Sequence, residues 1–151
     1  MKLDGTHTFH APRQLVWDTV QDPAELRACI PGLETFEPVG PDEYAATMKI
    51  GVGSIKGSYT AKIRIFDLNE PEHYRLSVEA KGTPGFVRGE GSFKLTADDA
   101  ETTTLHWEAD AQIGGAVAAV GQRMLGGVAR MTVGQLWAAL EARVKQRQSS
   151  P

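Results

Sequence analysis

Histidine and cysteine are the side chains that most often bind metals, and this chain has four histidines and one cysteine. His7 and His10 are three residues apart in a stretch that alternates like a β-strand, so their side chains point to opposite faces. His73 falls at a predicted turn and His106 on a charged face. Cys29 is alone, which excludes a thiolate zinc set and an internal disulfide and indicates a reducing compartment. The sequence therefore predicts no metal site.

Carboxylates and serines are the next candidates for chemistry. Glu108 and Asp110 share a strand face, but that face is charged and is predicted to be solvated. Ser54, Ser58 and Ser92 have no recognisable His–Asp relay that would make one of them a nucleophile. We therefore predict no catalytic residue and expect a protein that is not an enzyme.

The size and charge of the chain describe one ordinary globular domain. It has 151 residues, of which 41% are hydrophobic and 23% charged, and its net charge is −3. A net negative charge without a cluster of basic residues excludes nucleic acid as a partner. No window approaches the roughly 20 apolar residues of a membrane span. We predict a single domain over 1–147, followed by a polar tail or the start of a linker at 148–151.

Local patterns predict a strand and two short helices at the start of the chain. Residues 2–10 alternate between apolar and polar side chains, as a half-buried strand does. Pro12 is placed to open the first helix, because proline is tolerated at the first helical position. Asp22 is the predicted N-cap of the second helix, and Glu25, three residues further on, is predicted to complete a capping box.

From residue 34 onward the hydrophobic period becomes two, with turn residues between the runs. This pattern predicts strands at 34–39, 43–53, 55–68, 73–81, 86–97 and 102–113, joined as an antiparallel meander. One sheet face is apolar and the other charged, so the apolar face needs a cover. The predicted fold class is α+β: a curved antiparallel sheet of about seven strands wrapped around a long C-terminal helix, with two short helices between strands 1 and 2.

The predicted cover is a helix at Gly114–Arg147, the longest stretch with a helical period. Its apolar stripe consists of Gly121, Leu125, Val128, Thr132, Leu136 and Ala139, flanked by Met124 and Met131. Arg123, Arg130 and Trp137 are predicted to face outward, as a contact patch for a partner or a membrane, and Glu141 is predicted to lie on the same outward side. The glycines inside this helix each cost roughly 1 kcal/mol relative to alanine. That cost predicts that a packed strand or a bound ligand approaches the helix closely.

The side chains predicted to face inward include no acid, base, arginine or lysine, which general acid–base catalysis requires. Tyr59, Trp107 and Thr132 supply the only polar atoms expected there. Many inward residues are small, which favours an apolar cavity, although a filled core is the alternative. The predicted ligand-binding residues are Leu26, Ile30, Met48, Ile50, Tyr59, Ala61, Ile63, Leu76, Val78, Gly91, Phe93, Trp107, Ala109, Met124, Leu125, Val128, Met131 and Thr132.

Several short motifs, taken in order, resemble the helix-grip, START-like superfamily called SRPBCC, and within it the family of the G subunit of carbon monoxide dehydrogenase. The motifs are Ala11-Pro12-Arg13 before Val16-Trp17, Asp22-Pro23, Cys29-Ile30-Pro31-Gly32, Gly51-Val52-Gly53, Ile55-Lys56-Gly57, Gly89-Glu90-Gly91, and Ile113-Gly114-Gly115-Ala116 leading into Val120-Gly121-Gln122-Arg123. The resemblance covers nearly all of the chain. Family members often continue through a linker to a hydrophobic or amphipathic tail. No such tail precedes the end at Pro151, so no self-contained membrane anchor is expected.

The resemblance implies a cytoplasmic protein at the inner face of the cell membrane, associated with carbon monoxide dehydrogenase or a related molybdenum hydroxylase. The superfamily implies an apolar cavity between the sheet and the long helix. An oxidising hydroxylase must pass electrons to a membrane quinone, so the expected ligand is menaquinone or a similar isoprenoid quinone, with no covalent cofactor. Two alternatives stay open: an adaptor that recruits the enzyme to the membrane without a ligand, and an enzyme of the cyclase or aromatase type.

Overall fold

A computed structural model of the protein describes residues 1–51, 56–83, 85–115, 118–119 and 121–149. Within these residues there is one seven-stranded antiparallel sheet and three helices, which confirms the predicted fold class. The elements are β1 (Lys2–Phe9), α1 (Arg13–Val20), α2 (Pro23–Cys29), β2 (Leu33–Gly40), β3 (Glu43–Ile50), β4 (Gly57–Asn69), β5 (His73–Gly82), β6 (Gly85–Asp99), β7 (Thr102–Gly114) and α3 (Gln122–Ser149). The predicted strand ends at 52–53 and 55, and the last predicted tail residues at 150–151, lie outside the described residues.

The strands lie in the order β1-β7-β6-β5-β4-β3-β2. Strands β2 to β7 form the predicted meander, and β1 pairs with β7, with Lys2 opposite Asp110 and Phe9 opposite Thr103. The first two strands therefore lie at opposite edges of the sheet, and α1 and α2 make the connection between them. Because side chains alternate across a strand, this register places the apolar residues of all strands on one face, the inner face.

The second helix begins as predicted and has the predicted N-cap, but the predicted capping box does not form. Asp22 is the N-cap, and its Oδ1 accepts a hydrogen bond from the backbone N–H of Ala24 at 2.9 Å. Glu25 does not complete a capping box. Its carboxylate instead accepts from the Nε of Arg143 on α3 at 2.6 Å. A charged partner on a neighbouring helix takes the carboxylate away from the helix end, so this pair joins α2 to α3.

The long helix begins eight residues later than predicted. Strand β7 continues to Gly114, and Gly115 and Gly121 have positive φ angles of 80° and 94°. A right-handed helix cannot include such residues, since helical φ values are near −63°. These glycines therefore mark the connection between β7 and α3. At its other end α3 extends to Ser149, and the Nε2 of Gln148 donates to the backbone oxygen of His10 at 3.2 Å.

The main hydrophobic cluster lies at one end of the molecule. There the C-terminal half of α3 packs on α1 and on the inner face of the sheet. Its fully buried side chains include Phe9, Val16, Leu95, Leu105, Leu140 and Val144. The buried face of α3 is therefore set by Trp137, Leu140 and Val144, which follow each other at intervals of three and four residues, as one face of a helix requires.

Candidate ligand-binding interior

The centre of the inner face carries small apolar residues in register across the sheet. Val78 of β5 lies opposite Gly89 of β6, and Gly89 lies opposite Ala111 of β7. The next row joins Ala80 to Val87 in the same way. Short side chains in neighbouring rows leave depth above the sheet that larger residues would occupy.

Among the described residues, the buried apolar side chains form three clusters rather than one continuous core. Besides the main cluster, a second contains Phe36, Ala46 and Ala61 on β2, β3 and β4. A third is built around Leu125 of α3, with Ile50 and Ile113 among the residues packed against it. Within the described ranges, the apolar inner face is therefore packed in three separate places.

The third cluster shows how strongly the sheet curls. Ile50 ends β3 and Ile113 lies near the end of β7, and both pack against Leu125. Four strand spacings separate β3 from β7, which in a flat sheet is roughly 19 Å. One leucine can meet both residues only if the two sides of the sheet bend toward each other. The N-terminal part of α3 therefore bridges the sheet instead of lying on its centre.

Five inward side chains of the sheet belong to none of these clusters in the part of the chain that the structure describes. Tyr59 is buried, and the other four are Met48, Val78, Val87 and Ala111. All four are partly exposed although they lie on the apolar inner face. Apolar side chains on an inner face are buried when a core is filled, because interiors pack densely. We call the space above these four residues the central gap.

Most of the other predicted ligand-binding residues belong to the three clusters. Leu76, Phe93, Trp107 and Ala109 are at the main cluster; Leu26, Ala61 and Ile63 are at the second; Ile50, Leu125 and Val128 are at the third. Tyr59 and Gly91 are buried in the inner face, and Ile30 and Thr132 are partly buried. The Oγ1 of Thr132 donates to the backbone oxygen of Val128 at 2.9 Å, so its hydroxyl hydrogen is already used within α3.

The placement of two methionines in this interior is wrong. Met124 is 47% exposed and Met131 is 52% exposed. Seven residues separate them, so they share one side of α3, and that side is roughly opposite the buried face at 100° per residue. The apolar stripe predicted for α3 was therefore centred too close to the exposed side that carries Met124 and Met131.

Trp137 is also misplaced by the prediction of an outward contact patch. It is 6% exposed and packs edge-on against Phe93, with ring centroids 6.1 Å apart. Arg123 and Arg130 are exposed as predicted. A tryptophan near arginines is buried here because it lies one turn before Leu140 on the buried face of α3.

The close strand predicted to explain the glycines of α3 is not found among the described residues. A Cβ added at Gly127 or Gly134 would meet nothing within 4 Å, and both residues are exposed. At Gly126, which is buried, the nearest atoms would be the Nη1 of Arg130 at 3.3 Å and the Sδ of Met1 at 3.9 Å. No strand among the described residues packs tightly on these positions.

The inner face carries an acid–base pair that the sequence analysis missed. His7 Nε2 lies 3.4 Å from Glu141 Oε2, and both side chains are 25% exposed. The prediction of an interior without acid or base is therefore wrong. The alternation of residues 2–10 places His7 on the same side as Phe9, so the sequence alone could have predicted an inward-facing histidine. Glu141 was placed on the outward face because the apolar stripe of α3 was centred incorrectly.

Other reactive groups are held in unreactive states by burial. Burial raises the pKa of the Cys29 thiol, and the nearby Glu25 carboxylate raises it further. Burial likewise raises the pKa of the Tyr59 and Tyr74 hydroxyls. These groups stay protonated near neutral pH, so neither a thiolate nor a phenolate nucleophile is available at them.

The outer face of the sheet is polar, as predicted. A shallow groove of about 870 Å³ crosses it. Its lining includes Lys62, Glu79 and Arg88, which lie opposite one another on three consecutive strands. Arg75 and Glu90 form an ion pair at 3.1 Å near it. Opposite charges that face each other across strands stabilise the sheet and leave little net charge.

Within the described ranges, no group of three or more His, Cys, Asp or Glu side chains is arranged to hold a metal ion. Likewise, none of the helices in those ranges combines the length and the apolar character that crossing a bilayer requires.

Solved structures with the same fold are similar over nearly the whole chain. A conserved protein from Geobacillus kaustophilus is 37% identical, with a TM-score of 0.94 and coverage of 97% of this chain and 96% of that one. A START superfamily protein from Mycobacterium smegmatis is 16% identical, with a TM-score of 0.76 and coverage of 96% and 97%. The Zhui aromatase/cyclase from Streptomyces sp. R1128 is 19% identical, with a TM-score of 0.73 and coverage of 99% and 96%. No curated protein matches the chain.

A family model identifies the chain more narrowly than the fold does. The model for CoxG, the G subunit of carbon monoxide dehydrogenase, matches residues 5–145. That range includes every strand from β2 to β7, all but the first three residues of β1 and most of α3. The chain therefore belongs to the CoxG family of carbon monoxide dehydrogenase subunits.

Proposed function

We propose that the protein is a non-enzymatic carrier that binds a lipophilic ligand in the central gap. The observation that carries this proposal is the set of partly exposed apolar residues, Met48, Val78, Val87 and Ala111, between three separately packed clusters. A space with such walls favours an apolar molecule over water, since each Å² of apolar surface removed from water contributes roughly 25 cal/mol.

The ligand that best fits this interior together with the family is an isoprenoid quinone such as menaquinone. The family name associates the chain with carbon monoxide dehydrogenase, an oxidising enzyme whose electrons need an acceptor. A quinone dissolves in the bilayer and has a long apolar tail that matches an apolar gap. In this proposal the protein extracts the quinone at the inner face of the cytoplasmic membrane and delivers it to the enzyme.

Binding is tested by titrating the protein with menaquinone and measuring tryptophan fluorescence. Trp107 and Trp137 both lie at the main cluster beside the gap, so a bound quinone is expected to quench them. The area of an isoprenoid tail predicts micromolar affinity or better after ordering costs are subtracted. Unchanged fluorescence in the presence of saturating quinone would contradict the proposal.

A second candidate function, an adaptor without a ligand, is favoured by the exposed N-terminal half of α3. Arg123 and Arg130 are exposed there, and Met124 and Met131 are large apolar residues that stand exposed near them. Cations beside apolar side chains suit an anionic membrane surface or an acidic partner. This surface is compatible with a carrier, which must also reach the membrane.

Reversing the charge of both arginines tests the surface directly. The double variant Arg123→Glu, Arg130→Glu is expected to lose recruitment to anionic liposomes and to the dehydrogenase. Its free energy of unfolding should change by only about 0.5 kcal/mol, because both side chains are exposed. Liposome flotation and pull-down measure recruitment, and Lys145→Glu, exposed at the far end of α3, is the control. Full recruitment of a folded double variant would exclude this surface.

A cyclase-type enzyme is favoured by one observation, the His7–Glu141 pair on the inner face. General acid–base catalysis needs such a group within reach of a substrate. The aromatase/cyclase neighbour shares the fold at 19% identity. An enzyme would release a chemically changed molecule, whereas a carrier returns the ligand unchanged in a solvent extract.

A further inference from the structure

The N-terminal part of α3 is held to the rest of the molecule by little apolar burial. Among residues 123–134 the only buried side chain is that of Leu125, which is 8% exposed. The C-terminal half of the same helix buries Trp137, Leu140 and Val144 in the main cluster. Segments with few buried apolar contacts open locally at a lower free energy than the packed parts of a protein. Residues 123–134, which we call the bridging segment, are therefore the part of α3 that detaches most easily.

The bridging segment is attached next to the central gap. Leu125 contacts Ile50 at the end of β3 and Ile113 near the end of β7. Met48, one of the gap residues, lies two residues before Ile50 and therefore on the same face of β3. Val87, another gap residue, lies directly opposite Ile113. Detachment of the bridging segment therefore enlarges the opening to the gap at this end of the sheet.

Two glycines weaken the bridging segment further. Gly127 and Gly134 are exposed, and an added Cβ would meet nothing within 4 Å at either position. Glycine is the least favourable residue in a helix interior after proline, and no close packing compensates for it here. The Oγ1 of Thr132 also donates to the backbone oxygen of Val128 at 2.9 Å, a bond that slightly destabilises a helix. From 135 to 149 the sequence contains no glycine, so the weakness is confined to the bridging segment.

We propose that the bridging segment is a gate for the lipophilic ligand: it detaches from the sheet by local unfolding, and Gly127 and Gly134 keep the free-energy cost of detachment low. This inference rests on the proposed carrier function and names the step that controls its rate. Uptake and release of the ligand pass through the same open state. Alanine at the two exposed glycines would stabilise the closed helix equally in the free and the loaded protein. Both rates would then fall while the dissociation constant stays the same.

The test measures the transfer of menaquinone from loaded protein to an excess of empty vesicles, and the reverse transfer, by stopped-flow tryptophan fluorescence. The double variant Gly127→Ala, Gly134→Ala strengthens the helix where the added Cβ atoms have room. We expect both transfer rates to fall at least about tenfold, since each substitution lowers the population of the open state about fivefold. The dissociation constant should not change, and the melting temperature should rise.

The matched control is the double variant Ala138→Gly, Ala142→Gly in the packed half of α3, where both alanines are exposed. It makes the opposite change in helix propensity outside the bridging segment. It should lower the melting temperature and leave both transfer rates unchanged. Opposite changes of rate in the two double variants would mean that the ligand escapes by global unfolding, which overturns the gate.

Amide hydrogen exchange of the ligand-free wild-type protein measures the opening itself. Amides of residues 127–134 are expected to exchange at least about tenfold faster than those of residues 140–144, because the packed half opens only together with the main cluster. In the double alanine variant this difference should shrink. Equal protection of the two stretches would show that the bridging segment does not open on its own, and the gate would be wrong.

Failure of the gate can be distinguished from failure of the carrier function. If the double alanine variant transfers menaquinone at wild-type rates, or if its melting temperature does not rise, the gate is overturned. The carrier function then stands, because the wild-type protein still binds. If the wild-type protein takes up no menaquinone, the carrier function fails and the gate fails with it.

Discussion

Ala111→Leu is expected to lower the affinity for menaquinone by about tenfold or more while leaving the ligand-free protein at least as stable. Ala111 lies in the central gap opposite Gly89, and it belongs to none of the packed clusters of the described residues. The added carbon atoms would occupy space that the ligand needs. In the ligand-free protein they would contact apolar neighbours instead of a void. Fluorescence titration gives the affinity, and thermal unfolding gives the stability.

Ala61→Leu is the matched control for this prediction. Ala61 is 7% exposed and packs in the second cluster with Phe36 and Ala46. The same substitution there overpacks a filled region and should cost about 1–3 kcal/mol of stability. The account of the gap is wrong if both variants lose the same stability, or if Ala111→Leu binds menaquinone as tightly as the wild-type protein does.

Leu140→Ala is expected to lower the free energy of unfolding by about 3 kcal/mol, the largest stability effect that we predict. Leu140 is fully buried in the main cluster, where α3 packs on α1 and the sheet. Removing its side chain loses apolar burial and leaves a cavity, which together cost about 2–5 kcal/mol for leucine to alanine. Urea unfolding measures the change.

Met131→Ala is the control on the same helix. It also truncates a large apolar side chain, but Met131 is 52% exposed. Its effect should stay within about 0.5 kcal/mol. Similar losses in the two variants would show that the buried face of α3 has been assigned incorrectly.

The sheet could be predicted from the sequence because each strand is marked by a local pattern of residues. Residues such as Lys62 and Ile63 alternate with a period of two, and turn residues separate the runs, so register and faces follow from the pattern. The starts of α1 and α2 could also be predicted from local residues, because Pro12 and Asp22 are the residues immediately before the two helices.

Which side of α3 is buried could not be predicted in this way. Its glycines, alanines and methionines give two sides of similar apolarity, and only the tertiary packing of Trp137 and Leu140 decides which side is buried. The same error displaced Met124 and Met131 into the interior and Glu141 out of it. A helix with a weak apolar stripe takes its orientation from its neighbours.

The faces of the strands were predicted better than the face of the helix. Met48 and Val78 lie on the inner face of the sheet, because strand alternation places them there without further information. The pair of His7 and Glu141 was missed, since the approach of the two side chains is visible only when both elements are in place. The alternation of β1 nevertheless predicted that His7 lies on the inner face.

The most direct test of the carrier account is the mass of the native protein after it has been incubated with vesicles that contain menaquinone and then separated from them. The account predicts a one-to-one complex whose added mass equals that of menaquinone, and a solvent extract that returns the quinone unchanged. It also predicts that Ala111→Leu acquires much less of it. A wild-type protein that leaves the vesicles with its polypeptide mass alone, while all of the quinone stays in the lipid, would contradict the account.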